Sequence, residues 1–374
     1  MTKEMIKGNH AVAETAIRVG LGAYFGYPIT PQTELLELMS SRMTELGRAF
    51  VQAESELGAI NMVFGAAASG VRAMTSSSGP GISLMAEGLS YIAGAEVPAV
   101  VVNVMRGGPG LGNISGAQSD YRQMTKGPGH GDYNNIVLTP STVQECVDVT
   151  KKAFDLADQY RMISIILMDG NLGQLMEPAE LPDMLPVRNI FPDYAVYGTV
   201  DGRKSRNVNS LYIEPPQTER MNLRLLQRWE SVRKNEVWYR DYFLEDAEFV
   251  LYAFGTVGRI ALSAVRLARS EGIKVGLFRP VIINPFPQEI TVQVAKRVRG
   301  ILVVEMNTGQ MLDDVMLHSQ KYTPVSFYGR SGAVIPTVKE ILAEIRRISE
   351  DQYYASDDPR ADWLNRITSK FEVS

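Results

Sequence analysis

One cysteine, Cys146, is the whole thiol inventory of this 374-residue chain. No intrachain disulfide is possible and no CxxC pair exists. An iron–sulfur cluster needs several thiolates and a structural zinc site usually two or more, so this chain alone carries neither. Histidine is nearly as scarce. His10, His130 and His318 lie far apart with no HExxH spacing, and no catalytic zinc is expected. No apolar run reaches the roughly 18 residues of a membrane helix. The start, MTKEMIKGNHAVAET, has no secretory apolar region. The formal net charge is only -4, which indicates no nucleic-acid surface. The expectation is a cytoplasmic protein with no membrane or nucleic-acid partner and no metal of its own.

The chain does contain an ordinary globular mixture, 45% hydrophobic and 21% charged, long enough for two domains. Over the first 180 residues strand and helix signals alternate. GNHAVAETAIRVG has helical spacing and a Gly stop, AYFGYPI reads as a short strand, and PQTELLELMSSRMTEL as a helix with Pro31 in its first turn. AFVQAESE reads as a strand ending in a carboxylate pair, LGAINMVFGAAASG as a small-residue helix, and VRAMTSSSGPG as a strand breaking into a loop before the helix ISLMAEGLSYIAG. PAVVVNVMRG and MISIILMDG are buried β-branched strands flanking a long helix, TVQECVDVTKKAFDLADQYR. This alternation predicts an α/β fold with a doubly wound parallel sheet. A polar stretch and a charged helix follow from about 183, read as a connector. EFVLYAFGTVGRIALSAVRLARSEGIKVGLFRPVIINPFP then restarts the pattern for a second α/β domain.

Four loops follow predicted parallel strands: GYPITP (26–31), ESE (54–56), SSSGPG (76–81) and RGGPGLGN (106–113). In open α/β sheets ligands sit at the carboxyl ends of strands, so these loops are expected to share a site. Pro28 and Pro31 bracket Ile29 and Thr30, which makes a stiff loop presenting one hydroxyl. Glu54 and Glu56 lie two apart and in a strand would point the same way. Glu56 precedes a helix rich in Ala and Gly. It reads either as an acid in dry surroundings that holds or trades a proton, or as a residue favoured by the helix dipole. Arg106, ending an apolar strand, pairs with a carboxylate of the protein or of a substrate. The Gly-rich loops expose backbone N–H groups but match neither GxGxxG nor a Walker A. His130 in GPGHGDYNN and Asp169-Gly170 are weaker candidates.

Together, YPITP, ESELGAINMVFGA, TSSSGPGISLMAEG and a strand ending in arginine resemble the α subunit of 2-oxoacid:ferredoxin oxidoreductases. The resemblance continues through FRPVIINPFP and IPTVKEILAEI, nearly the whole chain. It implies a thiamine-diphosphate pyrimidine-binding domain over 1–182, a connector over 183–245 and a transketolase C-terminal-like domain over 246–374. It also implies oxidative decarboxylation of a 2-oxoacid with CoA, giving acyl-CoA, CO2 and reduced ferredoxin. By resemblance, Glu56 serves the ring nitrogen N1′ of the aminopyrimidine, with Tyr27 and Gly79 also at the cofactor. Thr30 and Arg106 hold the substrate carboxylate, for which charge-assisted bonds are suited. The GDG and Asn-Asn pair that anchor diphosphate and Mg2+ are not found at the family's spacing. A β subunit should therefore supply them, with a γ subunit and a ferredoxin-like iron–sulfur subunit completing the complex.

The stretch MRGGPGLGNISGAQSDYRQMTKGPGHGDY looks like the branched-chain type, which acts on 3-methyl-2-oxobutanoate. Relatives of the 2-oxoglutarate type tend to read R-x-G-P-S-T, and here Gly110 and Leu111 take the polar places. Leu111 is accordingly expected to line the substrate, since it cannot pair a second carboxylate. A 2-oxoglutarate enzyme, a non-catalytic scaffold of the same shape, and a half-subunit of a sulfopyruvate decarboxylase are the competing readings.

Overall fold

A computed structural model describes residues 3–188, 192–199, 202–350 and 356–369. Of the polar stretch opening the connector, residues 189–191 and 200–201 lie outside the described residues. The first half runs β1 (Glu4–Lys7), α1 (Gly8–Arg18), β2 (Ala23–Gly26), α2 (Thr33–Glu45), β3 (Ala49–Gln52), α3 (Glu56–Ala68), β4 (Ala73–Ser77), α4 (Pro80–Leu84), α5 (Ala86–Gly94) and β5 (Ala99–Met105). Then come α6 (Tyr121–Thr125), β6 (Ile136–Leu138), α7 (Val143–Tyr160), β7 (Ile163–Asp169), α8 (Gly170–Gln174) and β8 (Met176–Ala179). The second half holds α9 (Pro215–Asn235), β9 (Tyr239–Tyr242), β10 (Phe249–Tyr252), α10 (Gly255–Ser270), β11 (Val275–Pro280), β12 (Ile282–Asn284) and α11 (Gln288–Ala295). It closes with β13 (Gly300–Glu305), α12 (Gln310–Ser319), β14 (Val325–Gly329), α13 (Val338–Ser349) and α14 (Pro359–Thr368).

Runs of Val and Ile at β5 and β7 form the middle of a seven-stranded sheet, ordered β12-β6-β7-β5-β4-β2-β3. All its pairings are parallel except β12 with β6. Alternate residues of β5 face opposite sides: Val100, Val102 and Val104 join one apolar cluster, Val101 and Met105 the other. That is why these strands read as unbroken hydrophobic runs. From β2 the chain steps out to β3, then returns to β4 on the other side of β2. The switch point between β2 and β4 opens the crevice where such sheets bind ligands. A second sheet, β14-β13-β10-β11-β9, is parallel but for β9.

Several local expectations change. The α2 helix begins at Thr33, so Pro31 lies before it rather than in its first turn. The β3 strand ends at Gln52, and Ser55 caps α3 by accepting from Gly58 N at 3.1 Å. Glu54 and Glu56 are thus not strand neighbours: Glu54 is exposed and Glu56 is buried in the first helical turn. ISLMAEGLSYIAG divides into α4 and α5, with Pro80 starting α4. Strands cross the expected domain borders as well. β9 precedes residue 246 yet pairs with β11, and β12 follows it yet pairs with β6.

Two devices dock the sheets. Gln118 donates to Phe254 O (2.8 Å) and accepts from Met306 N (3.0 Å), while its backbone bonds Met306 O and Asn307 Nδ2. Arg279 of β11, 3% exposed, grips Glu145 of α7 through both carboxylate oxygens at 2.8 and 2.5 Å and also donates to Ser141 Oγ. Burial pushes the Glu145 carboxyl up, but the Arg279 hydrogen bonds and charge hold it below the usual carboxylate range. A carboxylate depressed this way stabilises the fold above its unfolded pKa and loses that contribution as pH falls through the folded value. Arg279→Met should cost about 3–5 kcal/mol in denaturant unfolding by stranding a buried charge, and Glu145→Leu added to it should recover part of the loss.

Candidate functional site

The four loops meet at the carboxyl edge of β5, β4, β2 and β3, as their strand order requires. Arg106 joins the first and last. Its Nη1 donates to Thr30 O at 3.0 Å and its Nη2 to Leu111 O at 3.1 Å. The side chain is 8% exposed and pairs with no carboxylate within salt-bridge range among the described residues. Among the described residues its Nε has no hydrogen-bond partner. A Cβ on Gly79 would stand 3.3 Å from that Nε, and φ of +45° at Gly79 is another reason for glycine there. Of the two readings of Arg106, a protein salt bridge is not what the structure shows. Among the described residues the buried guanidinium keeps one donor that no group accepts.

Glu56 joins the second and third loops. It is 4% exposed, and Ser77 Oγ donates to its Oε1 at 3.3 Å. A Cβ on Gly81 would overlap both Glu56 Oε1 and Ser77 Oγ, so the carboxyl occupies room that only glycine leaves. Its Oε2 has no hydrogen-bond partner among the described residues, which suits a nitrogen heterocycle that exchanges one proton with a carboxyl.

The GYPITP loop is held from below. Gln32, fully buried, donates to Tyr27 O at 3.0 Å and accepts from Ser76 Oγ at 2.7 Å. Asn9 Nδ2 bonds Pro31 O at 2.9 Å. The Thr30 side chain and Tyr27 stay exposed at the rim. Leu111 departs from expectation. Positive φ at Gly110 and Gly112 turns its carbonyl inward to Arg106, and its side chain is 82% exposed. In this chain Leu111 therefore contributes backbone to the site rather than an apolar wall.

The weaker candidates separate out. Asp169 is spent on Thr256 N and Oγ1 and Leu172 N, joining α8 to the start of α10. His130 is exposed, its carbonyl bonded by Ser90 Oγ and its ring edge-on to Tyr91. Burial pushes the Cys146 thiol well up, which leaves it unreactive. Motif reading named the SSSGPG loop without singling out Ser77 and Gly81, and it passed over Gln32, Asn103, Ser119 and Asp120. The run Gln118-Ser119-Asp120 was the available signal: three polar residues after an arginine-ended strand, all buried or half-buried. Among the described residues no group of three or more His, Cys, Asp or Glu could hold a metal ion, and no helix is long and apolar enough to cross a membrane.

Residues 14–198 match the family "Pyruvate flavodoxin/ferredoxin oxidoreductase, thiamine diP-bdg", and residues 247–341 match "Pyruvate:ferredoxin oxidoreductase core domain II". A ketoisovalerate oxidoreductase subunit VorB from Methanothermobacter marburgensis is 48% identical, over 93% of this chain and 99% of that one. A 2-oxoglutarate synthase subunit KorA of the same organism is 36% identical, over 92% and 99%. Among solved structures, 2-oxoglutarate:ferredoxin oxidoreductase from Magnetococcus marinus superposes with a TM-score of 0.82 at 26% identity, covering 93% of this chain and 66% of that chain.

Gly81→Ala should displace the Glu56 carboxyl and weaken thiamine diphosphate binding in the assembled enzyme by roughly tenfold, about 1.4 kcal/mol of overpacking. A cofactor titration followed by circular dichroism checks this, and unchanged affinity would detach Glu56 from the cofactor. By these matches the chain belongs to the 2-oxoacid:ferredoxin oxidoreductase family, as a subunit of such an enzyme.

Proposed function

We propose that this subunit binds the aminopyrimidine end of thiamine diphosphate and the carboxylate of 3-methyl-2-oxobutanoate. The complete enzyme then converts that acid with CoA to acyl-CoA, CO2 and reduced ferredoxin. Buried Arg106, with no carboxylate in salt-bridge range among the described residues, is the observation that carries this reading. The branched-chain substrate is supported by the higher identity to a ketoisovalerate oxidoreductase subunit, 48% against 36% for a 2-oxoglutarate synthase subunit. It does not rest on the Leu111 side chain, which is exposed.

When bound, thiamine diphosphate supplies the nucleophilic carbon and the electron sink for decarboxylation. The residues of this chain do the rest of the local work. Glu56 holds a proton at the pyrimidine ring nitrogen, shielded from water and steadied by Ser77. Tyr27 and Gly79 serve the cofactor in this reading, and Thr30, exposed and bonded to Arg106 through its carbonyl, offers its hydroxyl to the substrate carboxylate. The stiff loop and the clamped arginine fix the carboxylate before reaction, so less order is lost on binding. The diphosphate and Mg2+ fall to a β subunit, the clusters to a ferredoxin-like subunit, and a γ subunit completes the assembly. Residues 1–182 then form the pyrimidine-binding domain, joined by β12, and 246–374 the second domain, joined by β9 of the connector 183–245.

Turnover of the reconstituted complex on 3-methyl-2-oxobutanoate and 2-oxoglutarate tests the proposal. Faster reduction of ferredoxin by the branched acid is expected, with none by this chain alone, and a 2-oxoglutarate preference would overturn it. Glu56→Gln should leave assembly intact by gel filtration while lowering turnover by roughly a hundredfold.

A further inference from the structure

Two features that the proposed reaction leaves unused, the GPGHGDYNN loop and the connector, meet around a cavity of about 940 Å3. That is at the upper end of the size range of small-molecule sites. Its floor is Ala93 of α5 with Met162 and Ile163, where β7 begins, so it opens at the amino edge of the strands. Arg106 and Glu56 work at the carboxyl edge, and neither lines this cavity. Most of the wall is apolar. Ile213 of the connector and Leu223 and Leu226 of α9 line it while exposed to solvent. Tyr133 and Tyr212 add ring surface, their hydroxyls bonded to Gly129 N at 3.1 Å and Gly94 O at 3.4 Å. Apolar side chains held open around a hollow gain contact free energy only when an apolar group fills it.

One cation enters this lining. Arg161 caps the end of α7 at φ +49° and is half-buried. Its Nε donates to Glu96 O at 2.9 Å, and its guanidinium lies 4.5 Å from the centre of the Tyr194 ring. These contacts fix the group but use one of its five N–H donors. Among the described residues no group accepts from its Nη1 or Nη2 and no carboxylate comes within salt-bridge range. Glu96 is taken by Arg224 and Arg228, at 2.6 and 2.7 Å. Two acids line the cavity as well. Glu219 and Asp132, the latter accepting from Asn222 Nδ2 at 3.3 Å, both stay outside salt-bridge range of Arg161. A second negative charge on an occupant would meet them at close quarters.

We propose that this cavity binds an amphipathic monocarboxylate, its apolar chain against Ile163, Ile213, Leu223 and Leu226 and its carboxylate on the free ends of Arg161. The planar fork of a guanidinium matches a carboxylate. An uncharged chain would leave those donors unserved, and a polyanion such as a nucleotide would face Asp132 and Glu219. The oxoacid of the reaction is far too short to fill the space, so the ligand is a different and longer acid. The site lies apart from the catalytic crevice and does not depend on the reading of Arg106.

The test is calorimetric titration of decanoate into the assembled enzyme, with decanol and decyltrimethylammonium as the uncharged and cationic counterparts. Decanoate should bind once per copy of this chain and about tenfold more tightly than decanol, the gain of a charge-assisted pair. The cation should bind no more tightly than decanol. Arg161→Gln should lower decanoate to the level of decanol and leave decanol unchanged, a split that a merely structural Arg161 would not give. Leu226→Asp, at an exposed position, should weaken both chains by about tenfold or more while turnover on 3-methyl-2-oxobutanoate stays at the wild-type level. Equal wild-type affinity for decanoate and decanol would overturn the proposal, as would decanoate binding that neither substitution weakens. Binding by the separate chain that disappears in the assembled enzyme would overturn it too, because a partner subunit would then be what fills the cavity.

Discussion

A buried arginine with no carboxylate in salt-bridge range among the described residues sets the terms for much of this chain. Taking a guanidinium out of water without a counter-ion costs several kcal/mol, and the protein limits that cost with dipoles. The Thr30 and Leu111 carbonyls face it from two loops, and Gly79 leaves its Nε edge open. Each of these contacts needs support further back. Gln32 and Asn9 tie down the loop that carries Thr30, and the positive φ angles of Gly110 and Gly112 turn the loop that carries Leu111. The sheet supplies the rigid frame: its switch point lies between β2 and β4, and Arg106 extends from the next strand, β5.

The segment whose Ser119 Oγ bonds the Arg106 carbonyl also fastens the second sheet. Gln118 makes four hydrogen bonds to residues 254, 306 and 307, and Ser119 and Asp120 follow directly. Relative motion of the two sheets would therefore move the surroundings of Arg106. The buried Arg279–Glu145 pair at another point of the interface opposes such motion.

Much of the fold was legible because its elements are locally consistent. β5 and β7 are runs of Val, Ile and Leu bounded by turns, and α13 opens with a capping box at Thr337 and Glu340. Reading failed where local signals compete. AESE suits a strand by alternation, yet Ser55 is a better helix cap, and the cap decided which way Glu54 and Glu56 point. The short strands β6, β9 and β12 have three or four residues each, too few for periodicity to register, and only pairing with distant neighbours defines them.

The site divides along the same line. Residue types and their order after successive strands determined that Thr30, Glu56, Gly79 and Arg106 would gather at one edge, because parallel strands all end on the same side. Tertiary structure alone decided what each contributes. It showed Arg106 with no carboxylate in salt-bridge range among the described residues, Leu111 bonded to it through its carbonyl, and Gly81 making room for Glu56. It also brought Asp120 to Ser119 and Asn103. Hydrogen bonding and burial depend on distances between residues remote in the chain, and no spacing along the sequence encodes those directly.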